Sequence, residues 1–99
     1  MNPEIIEEKV SNKEVILLDV RENDEWENGH IKGAIHIPLH ELEDKNLAGL
    51  SKGGEIYTYC QSGGRSEEAK EILEGLGFSK VTNIGGIVQW QGSGGKLVK

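Results

Sequence analysis

Short apolar runs alternate along the chain with segments whose apolar residues recur at helical spacing. The runs are rich in β-branched and aromatic residues, a pattern typical of buried strands. They predict strands at 15–20, 34–37, 55–59 and 81–84. The helical spacing predicts helices at 3–10, 23–28, 39–50 (continuous or broken) and 66–77, and a short one after Gly85-Gly86 that holds Ile87 and Trp90.

Strands that alternate with helices indicate an α/β fold, in which a central parallel sheet is covered by helices on both faces. We therefore predict a three-layer domain whose sheet has four or five strands. A length of 99 residues suits one domain, so residues 1–99 are treated as a single unit. The glycine-rich tail at 92–99 is expected to be mobile.

Charge narrows the classes of partner. Eleven Lys and Arg residues against 17 Asp and Glu give a net charge of −6, which argues against a nucleic-acid binder. The acidic balance attracts no anionic substrate from a distance, so any anion site is built locally. No apolar run approaches the ~20 residues that span a bilayer, and the first residues resemble no signal peptide. We expect a cytoplasmic protein without a membrane partner.

Cys60 is the one cysteine in the chain, which excludes an internal disulfide and a cysteine-only metal site. It ends a predicted strand, and four residues separate it from Arg65, where a helix begins. Ligands bind beyond the carboxyl ends of parallel strands, and a glycine loop before a helix presents N–H groups to an anion. A cysteine placed there is a reactive thiolate. The alternative is a small buried apolar residue at an ordinary strand–helix turn.

Four segments in order resemble the signatures of a single-domain rhodanese, of the thiosulfate sulfurtransferase family. They are LDVR at 18–21 followed by EW at 25–26, GHIKGAIHIP at 29–38, CQSGGRS at 60–66, and GG at 85–86 with Trp90. The resemblance covers nearly the whole chain. One departure lies in the tail, where residues 94–96 stand in place of the family's Gly-Pro.

The resemblance implies that Cys60 takes sulfane sulfur from a small donor, thiosulfate or a persulfide, and forms a persulfide of its own. That sulfur then passes to a thiophilic acceptor, which is cyanide, a thiol or a protein. The donor or persulfide is implied to be bound by Gln61, Ser62, Gly63, Gly64, Arg65 and Ser66. In this arrangement backbone N–H groups stabilise the persulfide, Arg65 orients the loop or the donor, and Ser66 caps the helix or bonds to the loop. No cofactor or metal is implied.

Asp19 and Arg21, at the end of the first predicted strand, can each be interpreted in two ways. Asp19 and Arg21 are candidate accessory residues, because their strand ends at the same sheet edge as Cys60. The structural alternative is that Asp19 forms hydrogen bonds that fix a loop and that Arg21 pairs with an acidic side chain.

His36 and His40 are separated by Pro38, which argues against a shared metal site.

Other functions remain open beside full thiosulfate turnover. One is a sulfur relay or binding module with little such turnover, and the neutral Gln61 and Ser62 predict that thiosulfate is a poor donor. Another is a cysteine-dependent phosphatase or arsenate reductase of related fold. Those enzymes resemble rhodaneses but place five residues between cysteine and arginine, whereas this chain has four.

Overall fold

The computed structural model describes residues 2–99, in which helices and strands alternate along the chain. The helices are α1 (Pro3–Ser11), α2 (Asn23–Glu27), α3 (Leu39–Glu43), α4 (Gly64–Gly75) and α5 (Ile87–Gly92). The strands are β1 (Ile16–Asp19), β2 (Ile35–His36), β3 (Ile56–Cys60) and β4 (Val81–Gly86). Within residues 2–99, no helix is both long and apolar enough to cross a membrane.

The four strands form one parallel sheet in the order β2-β1-β3-β4. Leu18 of β1 lies opposite Ile35 on one side and Thr58 on the other. The chain first builds outward from β1 to β2 and then returns to place β3 on the other side of β1. The carboxyl ends of β1 and β3 therefore border the crevice where open parallel sheets bind ligands.

Side chains alternate between the two faces of the sheet, and each face is covered by helices. One core cluster includes Leu18, Val20, Ile37, Leu42, Ile56, Cys60, Ala69, Leu73, Phe78 and Val81, with helices α3 and α4. The other cluster includes Ile6, Leu17, Ile31, Tyr59, Ile87 and Trp90, with α1 and α5. The structure thus confirms the predicted three-layer α/β fold, with a sheet of four strands.

The prediction of a helix over 39–50 is correct only for its beginning. Helix α3 ends at Glu43, and the backbone then turns left-handed at Lys45 (φ 64°) and Ala48 (φ 47°). A left-handed residue cannot continue a right-handed helix. Leu47 and Leu50 still pack against the core, so their spacing reflects burial of a loop and not a helical face.

The tail makes specific contacts with the body of the domain. The Gly95 N–H donates to Trp90 O at 2.8 Å, and the indole N–H of Trp90 donates to Lys96 O at 2.9 Å. His30 and Val98 exchange two backbone hydrogen bonds of 2.8 Å. These contacts restrict residues 95–98 more than the glycine content suggests, while the mobility of the tail stays a prediction.

Helix α4 is anchored by Leu73, which is fully buried in the core beneath the sheet. Leu73→Ala removes buried methyl groups and leaves a cavity, so we expect a loss of about 2–5 kcal/mol in the free energy of unfolding. Val88→Ala is the control, since Val88 is 56% exposed and its truncation changes stability by less than about 0.5 kcal/mol. Urea titration of the two variants measures both values, and equal midpoints would contradict this packing.

Candidate active site

Cys60 is the last residue of β3 and is 1% exposed. Its side chain lies on the sheet face covered by α3 and α4. Residues 61–63 form a short loop, and α4 begins at Gly64. The sulfur therefore lies between the carboxyl end of a central strand and the amino end of a twelve-residue helix, where free N–H groups are concentrated.

Hydrogen bonds surround the sulfur and control its protonation. The Gly63 N–H donates to Cys60 Sγ at 3.0 Å, and the Ser66 hydroxyl lies 3.4 Å from the same atom. Burial works to raise the pKa of the Cys60 thiol. The Ser66 hydroxyl and the N–H groups of Ser66, Gly63 and Ser62 outweigh that effect and bring the pKa below its ordinary value. The site therefore favours the thiolate.

The loop reaches this geometry because Gly63 adopts a left-handed conformation with φ 115°. L-residues with a side chain rarely adopt this conformation, so glycine is required there. The turn directs the Gly63 N–H at the sulfur and makes Gly63 the residue before the first turn of α4. Gln61, Ser62 and Gly64 are exposed in the same loop, whereas Ser66 is fully buried behind it.

Asn83 of β4 is a site residue that the sequence analysis missed. Its Oδ1 accepts from the Gly85 N–H at 2.9 Å, and the Ser66 Oγ lies 2.7 Å away. Its Nδ2 donates to Gly63 O at 3.0 Å. One amide side chain thus ties the edge strand to both residues that bond to the sulfur. The one signal in the sequence is the polar side chain of Asn83 two positions before Gly85. A lone asparagine does not by itself predict a role in a site.

The Ser66 hydroxyl has one proton but several acceptors. Asn83 Oδ1 at 2.7 Å is the nearest, and Gly63 O and Gly85 O each lie at 3.1 Å. Sγ of Cys60, at 3.4 Å, therefore competes for that proton. Because charge strengthens a hydrogen bond, the sulfur competes best when it is a thiolate.

The last strand and helix hold the loop from the other side. The Val88 N–H donates to Gln61 O at 3.1 Å, and the Gln89 side chain approaches Ser62 O at 3.4 Å. Gly86 packs directly on the loop backbone, since a Cβ there would collide with the Gln61 carbonyl and come within 2.6 Å of Ser62 N. Gly85-Gly86 thus allows two backbone segments to approach closely.

Arg65 forms a two-pronged ion pair with a carboxylate of α2. Its Nη1 and Nη2 donate to the Glu25 carboxylate at 2.6 and 2.9 Å. The Glu22 N–H also donates to that carboxylate at 3.0 Å, as part of the capping box of α2. The Arg65 hydrogen bonds lower the pKa of Glu25 to about 2, so this carboxylate is ionised at neutral pH.

Asp19 and Arg21 form a buried ion pair at the same sheet edge. Arg21 Nη2 lies 2.8 Å from Asp19 Oδ2, and its Nε lies 3.1 Å from both carboxylate oxygens. Arg21 Nη2 also donates to Gly29 O at 2.7 Å, and its backbone N–H bonds to Asp19 at 2.9 Å. These contacts favour the structural alternative for both residues, and an accessory role toward a donor stays a prediction.

Two cavities lie at opposite edges of the sheet, and one of them borders the candidate site. A depression of about 290 Å³ lies beside Gln61 and is lined by Arg21, Glu25 and Ile87 among others. A second cavity, of about 620 Å³, lies at the amino ends of β1 and β2, the edge of the sheet opposite to Cys60. The smaller depression is therefore the one that borders the loop.

Within residues 2–99, no group of three or more His, Cys, Asp or Glu side chains is arranged to hold a metal ion.

Comparison with known proteins agrees with this geometry. The family model described as the rhodanese-like domain matches residues 2–93. This chain belongs to the rhodanese-like domain family. The rhodanese-like domain is also similar to the crystal structure of a rhodanese-related protein from Thermoplasma volcanium. The TM-score is 0.81 and the identity 35%, over 99% of this chain and 95% of that one.

Several relatives carry functional names, among them two bacterial proteins. One is the "Putative sulfur carrier protein YrkF" of Bacillus subtilis, which is 44% identical over 91 residues, 90% of this chain. The chain spans about half of that protein, 49% of its length. The other is the thiosulfate sulfurtransferase PspE of Escherichia coli, 37% identical over 71 residues, or 71% of this chain and 68% of that protein. The rhodanese-like domain thus belongs among sulfurtransferase homologues.

The hydrogen bond from Ser66 gives a prediction for thiolate formation. Ser66→Ala removes the hydroxyl that favours the charged sulfur, so we expect a higher Cys60 pKa and slower alkylation at neutral pH. The rate of iodoacetamide reaction against pH measures the midpoint. Ser62→Ala is the control, because the exposed Ser62 acts through its backbone N–H, which this variant keeps. An unshifted midpoint in Ser66→Ala would show that the hydroxyl does not reach the thiolate.

The close approach at Gly86 gives a second prediction. Gly86→Ala forces the loop backbone at Gln61 and Ser62 to move, and small displacements of reacting groups have large effects on rate. We expect alkylation of Cys60 to slow by roughly ten-fold or more. Gly92→Ala is the matched control, since a Cβ there meets no atom within 4 Å. If both variants react at the wild-type rate, the contact does not position the loop.

Proposed function

We propose that this domain is a sulfurtransferase that carries sulfane sulfur on Cys60 as a persulfide. The observation that supports this most directly is the Gly63 N–H directed at Cys60 Sγ at 3.0 Å, within a loop that favours the thiolate. The position of the loop at the sheet's ligand-binding edge and the resemblance to a thiosulfate sulfurtransferase support the same function.

The first half-reaction loads the cysteine. The Cys60 thiolate attacks the outer sulfur of thiosulfate or of an organic persulfide, and a new S–S bond forms at Sγ. The bond between the two sulfurs of the donor breaks, and its electron pair leaves with sulfite or with a thiolate. The lowered pKa of Cys60 increases the fraction of the thiol that is present as the attacking thiolate.

The second half-reaction unloads it. A nucleophilic acceptor, cyanide or a thiol, attacks the outer sulfur of the persulfide, and the electron pair of the S–S bond returns to Cys60 as a thiolate. The hydrogen bonds that stabilise the resting thiolate also stabilise it as a leaving group. Two successive transfers through one covalent intermediate give ping-pong kinetics.

The loop residues have distinct roles in this proposal. The N–H groups of residues 61–66 bind the negative charge of the persulfide, and the amino end of α4 adds its partial positive charge. The Ser66 hydroxyl donates to the charged sulfur. Arg65 fixes the loop to α2 through Glu25. Asn83 is a positioning residue that holds Gly63 and Ser66.

A sulfur relay is a second candidate, favoured by the resemblance to a protein named as a sulfur carrier. A relay uses the same Cys60 persulfide but transfers its outer sulfur to a partner protein. Fast transfer to a protein acceptor with slow thiosulfate–cyanide turnover would distinguish the relay from a self-sufficient thiosulfate sulfurtransferase.

Intact-protein mass spectrometry tests the covalent intermediate. Brief incubation with thiosulfate or cysteine persulfide should add one sulfur, about 32 Da, and cyanide should remove it. The Cys60→Ser variant should gain no mass from either donor, because Cys60 is the one cysteine in the chain. If the wild-type protein gains no sulfur from either donor, or if Cys60→Ser still gains it, the proposed intermediate is wrong.

A further inference from the structure

The cationic side chain nearest to the loop in sequence does not offer a free charge to a donor. Both terminal nitrogens of Arg65 are bonded to Glu25, at 2.6 and 2.9 Å. The two side chains are partly exposed, 35% for Arg65 and 28% for Glu25, so the pair lies at the surface of the site. An approaching anion therefore meets a carboxylate together with the guanidinium.

The second arginine at this edge is also neutralised. Arg21 is 3% exposed and is bonded to Asp19 and to the Gly29 carbonyl. Its guanidinium borders the depression beside Gln61, but its charge is balanced by the Asp19 carboxylate. Both arginines thus enter the site as members of neutral pairs.

Two further charged side chains near the loop, Glu67 and Glu22, are acidic. Glu67, in the first turn of α4, accepts from Asn83 Nδ2 at 3.2 Å, and Glu22 adds a negative charge that acts on Arg65. The groups that favour the Cys60 thiolate most are neutral hydrogen-bond donors, the Ser66 hydroxyl and backbone N–H groups. The loop can therefore hold one negative charge on sulfur while it provides little net attraction for a second anion.

We infer that Glu25 determines donor specificity by cancelling the charge of Arg65, so that this site takes its sulfur from an organic persulfide in preference to thiosulfate. This inference rests on the proposed sulfurtransferase function. It narrows the donor from any sulfane sulfur compound to one that carries less negative charge than the thiosulfate dianion. Glu25 acts through Arg65 and is a specificity-determining residue, not a catalytic one.

The charge balance of the two loading reactions explains the preference. With thiosulfate, a thiolate of charge −1 meets a dianion, and the products are the Cys60 persulfide anion and sulfite. With an organic persulfide R–S–SH, the thiolate meets an uncharged sulfur, and the products are Cys60–S–SH and R–S⁻. A persulfide that reacts as R–S–S⁻ carries one charge, and the products are then the Cys60 persulfide anion and R–S⁻. Repulsion therefore opposes the first encounter more strongly than the second, and a free arginine beside the sulfur is what would offset it.

Glu25→Gln tests this inference. The variant keeps the length of the side chain and one acceptor for Arg65 but removes the negative charge. We expect the second-order rate constant for loading by thiosulfate to rise roughly ten-fold, and its ratio to the rate constant for loading by cysteine persulfide to rise with it. Intact-protein mass spectrometry at short times measures both rates on the full chain.

Three controls separate charge from structure. Glu8→Gln changes the net charge by the same amount on the exposed face of α1, and should leave both rates unchanged. Glu25→Asp keeps the charge and should keep thiosulfate loading slow. The gain in Glu25→Gln should shrink at about 0.5 M salt, because screening weakens charge effects near the surface. A structural change would not depend on salt in this way.

The outcomes are distinct. Faster thiosulfate loading in Glu25→Gln alone, with persulfide loading retained, supports the inference. Thiosulfate loading that is unchanged or slower in Glu25→Gln, or equally fast in Glu25→Asp, overturns it while the persulfide loading still supports the sulfurtransferase. If cysteine persulfide and thiosulfate both fail to load the wild-type protein, the proposed function itself is wrong.

Discussion

Cys60 is 1% exposed, so its sulfur loses most of its water on becoming a thiolate, and the rest of the site depends on how that loss is compensated. In this domain the compensation comes from neutral donors, chiefly the Gly63 N–H and the Ser66 hydroxyl. Such donors are useful only when they are held in place, since a displaced hydrogen bond loses most of its strength. The elements around Cys60 therefore act mainly to hold the loop still.

Four neighbouring elements hold it. Asn83 of β4 bonds to the Gly63 carbonyl and to Ser66, the start of α5 bonds to the Gln61 carbonyl, and Arg65 joins α4 to α2. Thr58 of β3 donates to the Ser66 carbonyl at 3.0 Å from beneath. Apart from the Thr58 contact, these contacts join segments far apart in sequence, so the chemistry of the loop depends on the sheet order that brings β1, β3 and β4 together.

The sequence predicts the parts of this site that depend on local geometry. A strand, a cysteine, a glycine turn and a helix follow one another in the chain, and their spacing is sufficient to predict the loop around Cys60. The Asn83 contacts and the Arg65–Glu25 pair were not predicted, because each joins distant segments and a lone asparagine or glutamate has many equivalent positions. The sequence does not predict the end of α3 for a related reason. Leu47 and Leu50 lie in a loop and pack against the core at a spacing that is typical of a helix.

Burial of Sγ disfavours the charged thiolate. The same burial is useful in a domain that carries sulfur as a persulfide, as proposed here. Sγ itself is hidden, so a large acceptor cannot reach it directly. A sulfur added to Sγ lies about 2 Å farther out, the length of an S–S bond. The transferable atom is then the one that meets the acceptor, while the atom that must leave as a thiolate stays among its hydrogen-bond donors. In the proposed cycle, the resting site is therefore protected from bulky reagents, and loading with sulfur presents the atom to be transferred.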